Sequence, residues 1–130
     1  MSTSDEAAHL LAMARKDLTA LGGMNDPNVF ADEIYGFHAQ QALEKALKAW
    51  LAALGIEYPR THDVRALLAL LKERGASVDD LWDLVEYNFF AVQFRYDAYE
   101  PLDEPLNRAA THARVAGVIE KVSNIIQATA

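Results

Sequence analysis

Four polar side chains, His38, Gln41, Lys45 and Lys48, recur at helical spacing along "FHAQQALEKALKAW", residues 37–50. Residues three and four apart share a face of a helix, so these side chains form one stripe. The types suit chemistry. An imidazole moves a proton near neutral pH, an amide reads a hydrogen-bonding edge, and ammonium groups hold anions. The stripe is therefore a candidate ligand- or partner-facing surface. It is equally a description of the wet side of a packed helix. Glu44 and Lys48 stand at i, i+4, the spacing of an ordinary helical ion pair worth a few tenths of a kcal/mol.

Further candidates lie downstream. His62 precedes Asp63 at the start of a helical pattern, which suits a capping or loop-anchoring residue more readily than a catalytic base. Arg95 and Tyr96 follow the aromatic run "YNFFAVQF". A lone arginine among acids anchors a loop, or it faces a phosphate with tyrosines as stacking surfaces. Arg108 and His112, in "RAATH", share a face at i, i+4. Arginine can stabilise charge on a phosphorane and histidine can move a proton at a 2′-hydroxyl or a leaving oxygen. The alternative is two surface residues on the last helix. Other chemistries find no support. There is no cysteine, and the histidines at 9, 38, 62 and 112 show no ligand spacing, so no metal site or cofactor is expected. No Walker loop, dinucleotide fingerprint or GxSxG is present.

The elements that must position these groups read as helices. "SDEAAHLLAMARKDLTAL" opens on Ser4 with acids in its first turn, and Ala7, Leu10, Leu11, Ala14, Leu18 and Leu21 follow the helical period. "GGMNDPN" breaks it. A second helix is expected from about Val29 to Leu54, with Tyr35, Ala39, Leu43, Ala46, Leu47, Trp50, Leu51 and Leu54 on its apolar face. Gln40 falls near that face and needs partners if buried. Pro59 separates this helix from "DVRALLALLKERG", which Thr61 or His62 precedes and Gly75 ends. Ser77 or Asp79 then caps "DDLWDLVEYNFFAVQF", with the stripe Leu81, Leu84, Val85, Asn88 and Val92. An irregular segment holds Pro101 and Pro105, and a last helix runs from about Leu106 to Gln127. No alternating strand pattern appears. The fold class expected is all-α: one domain over residues 1–130, an antiparallel up-and-down bundle of four long helices plus a shorter fifth.

The chain is 130 residues long and 52% hydrophobic, enough to build a core. No apolar run approaches the roughly 20 residues that cross a bilayer, and the N-terminal stretch has no basic region followed by an apolar one. No membrane association is expected, and a cytoplasmic location is. The net charge of −7 is concentrated in residues 79–104, where Asp79, Asp80, Asp83, Glu86, Asp97, Glu100, Asp103 and Glu104 face Arg95 alone. Such a surface repels phosphate backbones and suits a basic protein partner.

"YGFHAQQALEKALKAWLAALGIEYPRTHDVRALLALL" resembles the HEPN domain (higher eukaryotes and prokaryotes nucleotide-binding). The resemblance is carried by Ala39, Gln40, Gln41, Glu44, Lys45, Lys48 and Ala49, then Pro59, the Thr61-His62-Asp63 triplet and the leucine-rich third helix. "ARKDL" at 14–18 and "RYD" at 95–97 add to it, and together these cover about residues 7 to 126. The resemblance implies a helical bundle, commonly a homodimer. It also implies pairing with a minimal nucleotidyltransferase in the manner of a toxin–antitoxin pair, with a nucleotide as ligand. A subset of the family are metal-independent ribonucleases marked by a late Arg, four to six residues, then His. This chain departs from that signature. No histidine follows Arg95 in range, and only three residues separate Arg108 from His112. A helical protein-interaction module without a ligand is the third expectation.

Overall fold

A computed structural model describes residues 3–91 and 105–129. Every regular element among them is helical: α1 (Thr3–Gly22), α2 (Asp32–Ala53), α3 (Val64–Glu73), a 3-10 helix (Asp79–Tyr87) that continues as an α turn to residue 91, and α4 (Arg108–Thr129). The all-helical reading holds for these residues. The lengths differ from expectation. Three helices are long and the third segment is short; the fourth is described as far as residue 91, and the rest of its expected span, with Val92 and the irregular segment around Pro101, lies outside the described residues.

Local chemistry explains the boundaries. The second helix starts three residues late because Asp26 captures its own neighbourhood: its carboxylate accepts from the Asn28 amide at 2.9 Å and its carbonyl accepts from Phe30 at 2.9 Å. That turn leaves Ala31 extended (φ −60, ψ 152), and α2 begins with Asp32 and Glu33, favoured by the positive end of the helix dipole. Asp63 caps α3 by accepting from the Arg65 amide at 2.9 Å, and Thr61 in turn accepts from the Asp63 amide at 3.0 Å. Both α2 and α3 end on a glycine with positive φ, Gly55 at 73° and Gly75 at 87°, the backbone state glycine reaches without strain.

The 3-10 segment follows a period of three. Val78, Leu81 and Leu84 are buried and Tyr87 is half-buried, each three residues from the last. Three residues per turn stacks them in one line. Nine residues is long for this helix type, and cations on α4 brace it. Arg114 holds the Asp83 carboxylate at 2.6 and 3.0 Å, and Lys121 reaches Asp80 at 3.3 Å and the Ser77 carbonyl at 2.9 Å. Much of the described acidic band is thus stitched to its own chain.

These pairings fix the directions. Glu6 meets Tyr58 and Asp17 meets Lys45, so α1 runs antiparallel to α2. Arg15 bonds Ser123 at 3.0 Å while the Met24 carbonyl meets Arg108, so α1 is also antiparallel to α4. Tyr35 bonds the Arg108 carbonyl at 3.0 Å, and Lys121 lies 5.4 Å over the Trp50 ring, so α2 and α4 start at the same end. Residues 54–63 carry the chain back along α2, because His62 returns to Gln40 and Glu44 before α3 begins. The core lies between the long helices. Leu21, Tyr35, Leu43, Leu47, Leu51, Leu67, Leu68, Leu71 and Ile119 are fully buried within it. Each such side chain contributes about 1.5–3 kcal/mol, more than an exposed ion pair does. No helix among the described residues is long and apolar enough to cross a membrane.

Gly36 is the tightest point of the packing: a Cβ there would overlap the Phe90 ring. Gly36→Ala is expected to lower stability by about 1–3 kcal/mol, read as a fall in the urea midpoint. The 3-10 helix sets a pH response. The Arg114 guanidinium holds the Asp83 carboxyl below its ordinary range, so the folded state binds that proton less readily than the unfolded chain. The pairing stabilises the fold above about pH 4 and loses that effect as pH falls below it. In urea titrations at pH 7 and pH 3, Asp83→Asn is expected to lower the midpoint at pH 7 and to cost less at pH 3.

Candidate functional site

Glu44 sits on the inner side of α2 and is 3% exposed. A buried carboxylate must be matched by donors. Lys48, one turn along, reaches Oε1 at 2.7 Å. Gln40 Nε2, one turn back, lies 3.2 Å from Oε2, and Gln41 Nε2 lies 3.4 Å away. The fourth donor comes from outside the helix: His62 Nδ1 stands 3.2 Å from both oxygens. A ring nitrogen on a carboxylate carries a proton, so the neutral ring of His62 has Nε2 as an acceptor. That side chain is half-exposed, and it is the outermost member of the network.

Neighbouring bonds lock this arrangement. Gln40 Nε2 also donates to the His62 carbonyl at 2.7 Å, and Gln41 donates to Gln40 Oε1 at 2.9 Å. Asn88 ties the next residues down: its amide donates to Asp63 at 2.6 Å and its oxygen accepts from the Val64 amide at 2.9 Å. Among the described residues no buried side-chain polar atom lacks a partner.

A cavity of about 400 Å³ adjoins the network at the end of α2. Its wall is shared through Tyr58, whose ring lies 5.7 Å from Lys48 Nζ. The Tyr58 hydroxyl donates to Glu6 at 2.7 Å, and that bond, with burial second, raises the phenol above the ordinary tyrosine range.

The stripe on α2 therefore divides. Gln41 and Lys48 belong to the Glu44 network. Lys45 pairs with Asp17 on α1 at 2.7 Å and staples two helices. His38 lies apart, edge-on to Phe37 with centroids 5.6 Å apart. Arg108 is buried at the opposite end of α2. Its guanidinium donates to the carbonyls of Met24 and Phe30 and to Asp32 Oδ1 at 2.8 Å, and it covers the Tyr35 ring at 4.9 Å. Those bonds place it as the clamp of the first connection rather than at an open surface. His112, one turn on, is half-buried with Nε2 near Gly22, so the two do not form an exposed pair. Arg95 and Tyr96 lie outside the described residues. No group of three or more metal-ligating side chains occurs among the described residues.

Of the residues that spell the resemblance to HEPN, Gln40, Gln41, Glu44, Lys48, His62 and Asp63 converge here, whereas Lys45 turns to Asp17. A family model for the HEPN domain matches residues 6–130. The chain belongs to the HEPN family. No curated protein and no solved structure gives a match. Two interactions around this network were not expected from sequence. Asn88 had a signal, a polar residue within an apolar stripe. The partnership of Glu6 with Tyr58 spans 52 residues and had none.

Removing the Glu44 carboxylate leaves Lys48 without its acceptor and takes one of two acceptors from each glutamine amide. Glu44→Ala is expected to destabilise the domain by about 3–5 kcal/mol in chemical denaturation. Glu44→Gln keeps the volume and is expected to cost less.

Proposed function

We propose that this HEPN domain is a dimeric binding module that pairs with a minimal nucleotidyltransferase, as in a toxin–antitoxin system, and takes a nucleotide as ligand in the cytoplasm. The observation that carries this reading is the HEPN match over residues 6–130. Membership places the chain among nucleotide- and RNA-related modules. The pairing, the dimer and the ligand are the finer parts of the proposal. The ligand-facing region in this reading is the side where the 54–63 connection lies on α2, presenting His62 above Gln41 and Lys48. The up-and-down arrangement of long helices expected of the family would leave that side open to a partner.

The occupied state of Arg108 supports binding over catalysis, because a guanidinium holding two backbone carbonyls and Asp32 is not placed to meet a phosphorane. One observation favours a second reading, a metal-independent ribonuclease with a degenerate site. His62 rests on a buried carboxylate with Nε2 directed away from it, a geometry suited to proton transfer. Arg95 would then have to supply the charge-stabilising group. A helical interaction module without ligand is the remaining possibility, and nucleotide binding separates it from the first.

The native mass of the tagged protein from its own host, with co-purifying chains identified, is the deciding measurement. A homodimer of the 14.4 kDa chain bound to a nucleotidyltransferase-like chain is the expected outcome. A bare monomer with no nucleotide-dependent rise in Tm would overturn the proposal. RNA cleavage that falls in Arg95→Ala or His62→Ala would move the ribonuclease reading to first place.

A further inference from the structure

The cavity beside Tyr58 has a definite chemistry. Ala52, Ile56 and Tyr58 are the apolar and aromatic members of its lining. Glu57 and Arg60 stand in the same lining with opposite charges, and no ion pair joins either one to a described residue. Glu6 adds a second carboxylate, anchored by the Tyr58 hydroxyl. The last turn of α2 carries no basic residue, so the negative end of that helix adds to the two carboxylates in favouring hydrogen-bond donors at the same place.

An occupant that satisfies all of this has three parts. It needs a flat ring for Ile56 and Tyr58, a hydrogen-bond donor edge for a carboxylate, and an anion for Arg60. A nucleotide has that layout. Among the common bases only guanine presents two adjacent donors, N1–H and the N2 amino group, which match the two oxygens of one carboxylate. Adenine presents one amino group flanked by ring acceptors, which would face the lone pairs of the carboxylate. A volume of about 400 Å³ is within the usual range of small-molecule sites, about 300–1,000 Å³.

We propose that this cavity is a guanine-nucleotide site, in which Glu57 reads the base, Tyr58 and Ile56 hold the ring, and Arg60 takes the phosphate. The proposal rests on the nucleotide-binding reading above and gives it a base and a location. The Glu44 network supports the site indirectly, since Lys48 backs the Tyr58 ring and His62 anchors the segment that carries Tyr58 and Arg60.

Calorimetric titration of the full chain with GMP, guanosine and AMP tests it. GMP is expected to bind about ten- to a hundredfold more tightly than AMP, the range of one good bidentate base contact. Glu57→Gln is expected to abolish that preference, and Arg60→Ala to bring GMP down to the affinity of guanosine. Both side chains are exposed and make no hydrogen bond or ion pair with a described residue, so both variants are expected to keep the wild-type circular dichroism spectrum and Tm. Equal affinity for GMP and AMP, or an unchanged GMP preference in Glu57→Gln, overturns the site while leaving nucleotide binding intact. Binding of none of the three ligands overturns both the site and the nucleotide-binding reading.

Discussion

A single carboxylate, that of Glu44, sets the terms for the middle of this domain. Burying it is unfavourable unless donors surround it, and the sequence of α2 supplies three of them within one turn on either side. The helix alone does not complete the shell. His62 does, and it can do so only if residues 54–63 fold back along α2 instead of leading straight into the next helix. The route of the connection, the starting point of α3 and the position of Tyr58 all depend on that contact. The functional surface in this reading is a by-product of satisfying one buried charge.

A second constraint works at the far end of α2. Arg108 gathers two backbone carbonyls of the first connection and Asp32, while Tyr35 holds the Arg108 carbonyl. Burial raises the Tyr35 phenol despite the nearby guanidinium, which fits its role as a core donor. The two polar centres share a logic: each places a fully engaged charge where an irregular segment meets the helices. The rest of the interior is aliphatic and fixes the packing by volume. Gly36 marks where that volume leaves no room, since Phe90 lies against its backbone.

The helical class, the break at 22–28, the ends at Gly55 and Gly75 and the burial of the α2 apolar face from Tyr35 to Leu51, though not of Leu54, were legible in the sequence. So was the need for partners at Gln40. Three features were not read, for different reasons. The period of the segment from Val78 to Tyr87 is three, but a helix period of 3.6 fits a few of the same residues and conceals it. Glu44 reads as half of an ordinary helical ion pair because helical geometry gives its angle on α2 but not the loop that covers it. Arg108 looked like a surface residue because its acceptors are backbone carbonyls, which no side-chain pattern announces. The site residues were partly legible for a related reason: Gln41, Lys48 and His62 were picked by type, while the interaction that unites them depends on the tertiary path of residues 54–63.

The sequence separations within these two centres impose an order on biosynthesis. Every member of the Glu44 network, with Asn88 behind it, is present once residue 88 has left the ribosome. Arg108 must wait for the start of α4, and it reaches back 84 residues to the Met24 carbonyl. At about 5–20 residues per second, the first connection stays unclamped for on the order of ten seconds after it is made. The nascent chain can thus assemble the corner around Glu44 while the first connection is still open, about 1–4 seconds before Arg108 follows Asn88 out.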